Sequence, residues 1–326
     1  MVNNGIFTHL KKLLPGIILI CLTVCTNAQV KLQPAFKVVP LGALGGIDES
    51  NMSAYMAAPY GSNAYVCLDA GTLHVGIAKA IAHHAFNVPA SAVLKNYIKG
   101  YLISHSHLDH LAGLIINSPD DTMKNIYAFA DCIGVLKTHY FTWKSWANFA
   151  DEGDAPTLNR YHYKTLIPGA ETAIANTGMQ VKAFPLSHSN LTSTAFLLQS
   201  KGSYLLYLGD TGCDRLEQSD NLKKLWQVVG PLIKSRRLKA IMIEVSFPDE
   251  QPDKSLFGHL TPRLLMEETQ VLAKHSGTAA LKNFNIVITH LKPPAQSIAK
   301  IKQQLTAENK LGLKLIYPEQ GRPLDL

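Results

Sequence analysis

Short apolar runs recur along the chain and end at polar or glycine-containing turns. Because they are rich in β-branched and aromatic residues, they predict strands at 36–41, 64–68, 101–103, 181–185, 194–198, 204–208, 240–243 and 286–289. Longer stretches with helical spacing of apolar residues predict helices at 77–84, 221–234, 262–275 and 295–305. Thr261 and Pro262 suit a helix start, since threonine caps and proline fits the first turn. We therefore expect a layered α/β fold with sheets inside and helices outside.

Composition is that of one globular domain. The chain has 326 residues, of which 47% are hydrophobic and 17% charged, as in ordinary folded proteins. No repeat or low-complexity linker divides it, which predicts a single domain at residues 29–326. The formal net charge is +7, but the basic residues are scattered, whereas nucleic-acid-binding proteins cluster them. No nucleic-acid partner is therefore expected.

Residues 1–28 have the pattern of an export signal. Lys11 and Lys12 precede an apolar run over 13–25, and small residues favour cleavage after Ala28. The run has thirteen residues, and a spanning helix needs about 20, so no stable membrane anchor is expected after cleavage. The predicted location is periplasmic or secreted.

The cysteines add two observations. Cys25 would serve a lipid-anchored alternative, although Val24 is larger than the small residue that such sites prefer. After cleavage the chain would retain Cys67, Cys132 and Cys213. Because their number is odd and their spacing shows no CxxC pair, we expect buried thiols instead of a disulfide framework.

One segment concentrates metal-binding side chains directly after the predicted strand at 101–103. It contains His105, His107, Asp109 and His110, whose nitrogen and oxygen atoms suit Zn²⁺ and related ions. Burying these groups without partners would be costly, which favours a metal site over a structural role. A turn can point the first two side chains one way and the last two another, so the loop could serve two adjacent ions.

Three further candidates each follow a predicted strand: His188, Asp210 and His290. A single histidine at a strand end is more commonly structural, but sites in open α/β folds form beyond the carboxyl ends of strands. Together these residues would supply the ligands that the loop lacks. Seven other histidines have no comparable setting: His9, His74, His83, His84, His139, His162 and His275.

The HxHxDH motif at 105–110 is the signature of the metallo-β-lactamase fold. The longer stretch 105–119 resembles the signature of class II 3′,5′-cyclic nucleotide phosphodiesterases. Blocks similar to that family's, in its order, occur at 41–51, 68–72, 208–211 and 258–262. The resemblance covers nearly all of the mature chain. It implies an αββα sandwich, with two mixed sheets flanked by helices and a two-metal site at one edge.

The resemblance also implies how the metal ligands divide. One ion would bind His105, His107 and His188. The other would bind Asp109, His110 and His290, with Asp210 bridging the two. Zn²⁺ is expected from the ligand types, with Mn²⁺ or Fe²⁺ as alternatives.

The implied reaction is hydrolysis of cAMP, cGMP or both to nucleoside 5′-monophosphates, with a hydroxide activated by two metal ions. Asp109 counts among the catalytic residues because it would bind one of the two metal ions. His259 is the candidate general acid or phosphate-binding group, oriented by Glu244; the alternative is that His259 only hydrogen-bonds ahead of a helix. Asp69 is expected to brace the motif loop, with a simple turn carboxylate as the alternative.

The substrate base also needs a binding surface. Aromatic residues crowd 140–149, and among them Trp143 and Trp146 are candidates to stack on a purine, although helix core is the commoner use of such a cluster. Asn51 and Thr261 are further candidates for substrate contact.

Two other function classes stay open. The fold also serves nucleases, thioesterases and lactamases, but a nuclease should show a basic tract, and the others are not expected to carry the full 105–119 block. The second class is a non-catalytic metal-binding or nucleotide-binding protein, against which the complete ligand set counts. Substrate preference and oligomeric state are not fixed by these patterns.

Overall fold

The computed structural model describes residues 1–2 and 33–326. Apart from its first two residues, the predicted export signal, with cleavage after Ala28 and the alternative at Cys25, lies outside the described residues. Residues Pro34–Leu326 form one compact unit. Within the described ranges, no helix has the length and apolar character needed to cross a membrane. The three cysteines of this unit are free and buried, as expected.

The described residues form fourteen strands. They are β1 (Phe36–Gly42), β2 (Ala54–Pro59), β3 (Tyr65–Leu68), β4 (Ile98–Leu102), β5 (Lys124–Ala128), β6 (Tyr161–Thr165), β7 (Glu171–Ile174), β8 (Met179–His188), β9 (Leu191–Ser200), β10 (Ser203–Leu208), β11 (Leu238–Glu244), β12 (Asn285–Thr289), β13 (Lys314–Ile316) and β14 (Leu324–Asp325).

Helices connect many of these strands. They are α1 (His74–Ala82), α2 (Ala90–Ala92), α3 (Leu108–Asn117), α4 (Ala130–Val135), α5 (Asp214–Glu217), α6 (Asn221–Lys234), α7 (Pro262–Ser276), α8 (Thr278–Leu281) and α9 (Ala295–Glu308). Short π-helical turns cover Val93–Tyr97 and Leu136–Tyr140, and a 3₁₀ turn covers Asp253–Ser255.

The strands build two mixed sheets with the same plan. The first has the order β14-β1-β2-β3-β4-β5-β6, and the second β13-β12-β11-β10-β9-β8-β7. In the first sheet, antiparallel pairs from β14 to β3 give way to parallel pairs from β3 to β6. In the second, antiparallel pairs from β7 to β10 give way to parallel pairs from β10 to β13.

Three apolar clusters hold the layers together. One lies between the sheets and includes Tyr55 and Tyr207. The second joins the first sheet to α1 and α3, and the third joins the second sheet to α6, α7 and α9. This confirms the predicted αββα sandwich. Each predicted strand and helix overlaps an observed one.

Candidate active site

The predicted ligands converge because each follows a strand at the same edge of the sandwich. His105 and His107 come after β4 in the first sheet. His188 is the last residue of β8, Asp210 follows β10 and His290 follows β12 in the second sheet. The site is therefore assembled by both sheets, beyond the carboxyl ends of their strands.

The structure brings all seven predicted ligands into two adjoining groups. In one, His105, His107, His188 and Asp210 offer ligand atoms within 4.8 Å of one another; in the other, Asp109, His110 and His290 do so. Asp210 lies between them. Its Oδ2 atom is 3.3 Å from His110 Nε2, 3.2 Å from His290 Nε2 and 3.8 Å from His188 Nε2.

Asp69 orders the histidines of the first sheet. Its carboxylate accepts from His110 Nδ1 at 2.8 Å and from the Ser104 hydroxyl at 2.8 Å. The same hydroxyl lies 3.0 Å from His105 Nδ1 and accepts a hydrogen bond from the Nδ1–H group. Tyr207 donates to Asp69 at 2.6 Å. Asp69 is therefore positioned to brace the motif loop. It accepts more side-chain hydrogen bonds than a carboxylate that only closes a turn would need.

Glu244 orients histidines of the second sheet in the same way. It accepts from His259 Nδ1 at 2.7 Å and from the Ser246 hydroxyl at 2.5 Å. Ser246 Oγ in turn lies 2.9 Å from His290 Nδ1. Glu244 thus orients His259, as the sequence suggests, and also holds His290 through Ser246.

These hydrogen bonds determine what the site can bind. Because the Nδ1 atoms of His105, His110 and His290 face acceptors, their Nε2 atoms carry lone pairs toward the carboxylates of Asp109 and Asp210. The Nε2 atoms of His105 and His110 are buried and have no hydrogen-bond partner among the described residues. Acceptors facing acceptors in a buried space require positive charge between them. The donor set therefore fits divalent cations.

Burial and neighbouring charges shift the pKa values of the site residues, and at His110 and Asp210 the two effects oppose each other. Burial lowers the pKa of His188 to about 4 and holds that of His105 well below its ordinary value. Burial alone would lower the pKa of His110, but the carboxylates of Asp210, Asp69 and Asp109 outweigh it and raise that pKa. Burial would raise the pKa of Asp210, yet the neighbouring histidines keep it well below its usual range. The lowered pKa of Asp210 favours the charged carboxylate that a divalent cation would bind.

His259 lies beside the two groups and forms a third cluster with Asp210 and His290. It is 5% exposed, and its Nε2 lies 2.9 Å from Lys292 Nζ. Its Nδ1 lies 3.8 Å from Asp210 Oδ2. Burial lowers the pKa of His259, but the Glu244 carboxylate more than offsets this and raises it. The arrangement suits a histidine that holds a proton next to the metal-binding groups.

The backbone around the site shows two unusual features. A Cβ at Gly45 would overlap the ring of His290, so only glycine fits in that loop. Asp69 and His290 have φ values of 53° and 55°, a left-handed conformation that non-glycine residues seldom adopt. Such backbone is typical of functional residues that the surrounding structure holds in place.

The four residues predicted to contact substrate each form a side-chain hydrogen bond within the protein. Thr261 is fully buried and its hydroxyl caps α7 by accepting from the Leu264 N–H. Asn51 accepts from the Ala43 N–H and braces its own loop. Trp143 donates its indole N–H to Pro156 and Trp146 to Ser118. None of the four lines the cleft beside Asp109, but Trp143 and Trp146 are 46% and 36% exposed, so their contact with substrate stays a prediction.

Three residues near the site were missed from the sequence: Ser104, Ser246 and Lys292. Each serine lies close to a motif residue, but serine has no spacing signal of its own. Lys292 is two residues beyond His290, and that proximity was the available clue.

Comparisons with known proteins identify the family of this chain. A family model for cAMP phosphodiesterases class-II matches residues 87–321. A 3′,5′-cyclic-nucleotide phosphodiesterase of Aliivibrio fischeri is 42% identical over 95% of this chain and 98% of that relative.

Solved structures agree on the fold. Unliganded yeast PDE1 superposes with a TM-score of 0.80 at 21% identity, over 90% of this chain and all of that one. The metallo-beta-lactamase fold protein YhfI of Bacillus subtilis gives a TM-score of 0.59 at 15% identity, over 89% of this chain and 99% of that one. From the sequence matches, this chain belongs to the class-II cAMP phosphodiesterase family.

Proposed function

We propose that the protein hydrolyses 3′,5′-cyclic nucleotides, cAMP or cGMP or both, to nucleoside 5′-monophosphates. The observation that carries the proposal is the pair of buried ligand groups that meet at Asp210 in a member of this family. Family membership also weighs against the nuclease, thioesterase and lactamase alternatives.

The cofactors we propose are two divalent ions, Zn²⁺ by ligand type, with Mn²⁺ or Fe²⁺ as the alternatives. His105, His107 and His188 would hold one, Asp109, His110 and His290 the other, and Asp210 both. When bound, such ions lower the pKa of water and neutralise charge on the phosphoryl group.

The chain's own residues complete the reaction. Lys292 places an ammonium group beside His259, where it attracts a phosphoryl oxygen. Once Lys292 has turned from His259 Nε2 toward the phosphate, the protonated His259 ring would give its Nε2 proton to the departing O3′ atom, while its Nδ1–H stays bonded to Glu244. Lys292 then donates to the ring nitrogen that has lost its proton. Asp69 keeps His105 and His110 in one orientation throughout.

Product analysis tests this proposal. Purified protein supplied with Zn²⁺ or Mn²⁺ is incubated with cAMP and with cGMP, and the products are separated by chromatography. We expect 5′-monophosphates from the wild type and almost none from Asp210→Asn. A 3′-monophosphate, or no turnover by a protein that binds metal, would reject the proposal; the second result would favour a binding protein.

We also propose that residues 1–28 are removed during export and that the enzyme acts in the periplasm or outside the cell. The basic pair followed by a short apolar run supports this. Fractionation and N-terminal sequencing test it, with Gln29 expected as the first residue. An unprocessed chain in the cytosol would contradict it.

A further inference from the structure

A cleft of about 660 Å³ opens beside the metal-binding groups, between the start of α1 and α3. Leu73 and Val75 line it from the α1 side, and Leu108, Ala112 and Ile116 from α3. Its size and mainly apolar lining match those of small-molecule pockets, which are commonly about 300–1,000 Å³.

The inner end of the cleft reaches the reacting centre. Asp109 and Lys292 both line it. The Gly46 N–H fixes Asp109 by donating to Oδ2 at 2.9 Å, and Lys292 Nζ lies 2.9 Å from His259 Nε2. A ligand in the cleft therefore has one end next to the phosphate-handling groups.

The walls are fixed to each other through backbone contacts. The Gly113 N–H donates to the Gly71 carbonyl at 2.9 Å, and the Leu114 N–H to the Ala70 carbonyl at 3.1 Å. A Cβ at Gly113 would lie 2.7 Å from the Ala70 carbonyl oxygen, closer than real side chains come. The cleft is thus preformed, which reduces the entropy lost when a ligand binds.

Its surface chemistry suits a flat base with polar edges. Val75, Leu108 and Ile116 are 40%, 59% and 64% exposed, so apolar area there is open to a ligand. Glu49 and Asn117 also line the cleft. Their oxygens are acceptors, and both adenine and guanine present N–H donors on the edge opposite the sugar.

We propose that this cleft binds the purine base and ribose of the substrate, with Val75 and Ile116 contacting the base. The assignment rests on the proposed function and replaces the tryptophans as base-binding residues. A smaller cleft of about 350 Å³ borders His259 and is lined by Phe257, whose side chain is 68% exposed. It is the competing location, but it lacks a large apolar lining.

The test compares a double variant, Val75→Ala with Ile116→Ala, with the single variant Phe257→Ala. Each is assayed on cAMP and on the cyclic phosphodiester of propane-1,3-diol, which has the scissile ring but no base. For the double variant we expect KM for cAMP to rise roughly tenfold through lost apolar contact, with no change on the base-free ring. Phe257→Ala should leave both substrates unaffected.

A second measurement does not depend on activity. In methyl NMR spectra of the wild type, added adenosine should shift the resonances of Val75 and Ile116. The assignment is overturned if Phe257→Ala alone raises KM, if the double variant loses both substrates equally, or if it changes only self-association seen by light scattering. If the wild type hydrolyses neither substrate while holding metal, the proposed function itself has failed.

Discussion

Two buried carboxylates, Asp69 and Glu244, order the site from opposite sheets. Each holds one histidine directly and another through a serine hydroxyl. Because a carboxylate can only accept, these bonds favour the Nδ1–H tautomers of His105, His110 and His290 and leave their Nε2 lone pairs for cations. The residue types in the motif thus suffice to predict the ligands, but the tautomers depend on partners that are distant in sequence.

Asp69→Asn tests this ordering. Asp69 Oδ2 accepts from His110, the Ser104 hydroxyl and Tyr207, and Oδ1 accepts from the Ser104 N–H. An amide would turn its NH2 group toward a donor in either orientation, so metal affinity should fall about 10–100-fold. Competition with a chromophoric chelator measures it.

Asp121→Asn is the matched control, since Asp121 is a buried carboxylate that accepts from Tyr101 and Tyr161; it should lower stability and leave metal affinity unchanged. Unchanged affinity in Asp69→Asn would refute the bracing role.

His259→Ala tests the general acid. Hydrolysis of cAMP should slow by about 10²–10⁴-fold, while a p-nitrophenyl phosphodiester, whose leaving group needs no proton, should change little. Lys292→Ala serves as the comparison, because loss of a phosphate-binding charge should slow the hydrolysis of both substrates by a similar factor. Equal losses on both substrates in His259→Ala would leave His259 without an acid role.

At the scale of elements, the strand ends position the chemistry and the helix starts stabilise the turns around it. α7 begins at Pro262 with Thr261 as its cap, as the Thr-Pro pair predicts. The same threonine is predicted to touch substrate, but its buried hydroxyl is already bonded to the Leu264 N–H.

Thr261→Ala separates the two roles. Loss of the cap should lower the free energy of unfolding by about 1 kcal/mol, with kcat/KM unchanged, and Thr261→Ser should restore most of the stability. Chemical denaturation and steady-state kinetics measure the two quantities. A raised KM in Thr261→Ala with unchanged stability would return Thr261 to the substrate site.

The sequence predicts the strands that carry ligands better than those at the periphery. Strand β5 begins with Lys124 and Asn125, and polar residues at its start hide it; Lys124 is buried because it pairs with Asp121. Strands β13 and β14 have three and two residues, too short for a periodic signal. The cleft between α1 and α3 could not be foreseen either, because its walls meet only through the packing of α3 against the turn after β3.

At the scale of the whole molecule, the site joins the two sheets. His105, His107, Asp109 and His110 follow the first sheet, whereas His188, Asp210 and His290 follow the second. Cations bound between them would link the halves of the sandwich, so occupancy of the site and stability of the fold are coupled.

Thermal unfolding with and without a chelator tests this coupling. An ion present at about a thousandfold its Kd adds about 4 kcal/mol, which for a domain of this size raises Tm on the order of 10 °C. Asp210→Asn should show a much smaller shift. Identical Tm values for the metal-loaded and chelated wild type would show that the ligands do not bind metal across the sheets.

Titration of metal-free protein with Zn²⁺ or Mn²⁺, with bound metal and cAMP hydrolysis followed in the same samples, tests the central claim most directly. We predict that 5′-AMP formation is absent without metal and reaches its plateau at two ions per chain. Full activity in the metal-free protein, or a plateau with no metal bound, would contradict it.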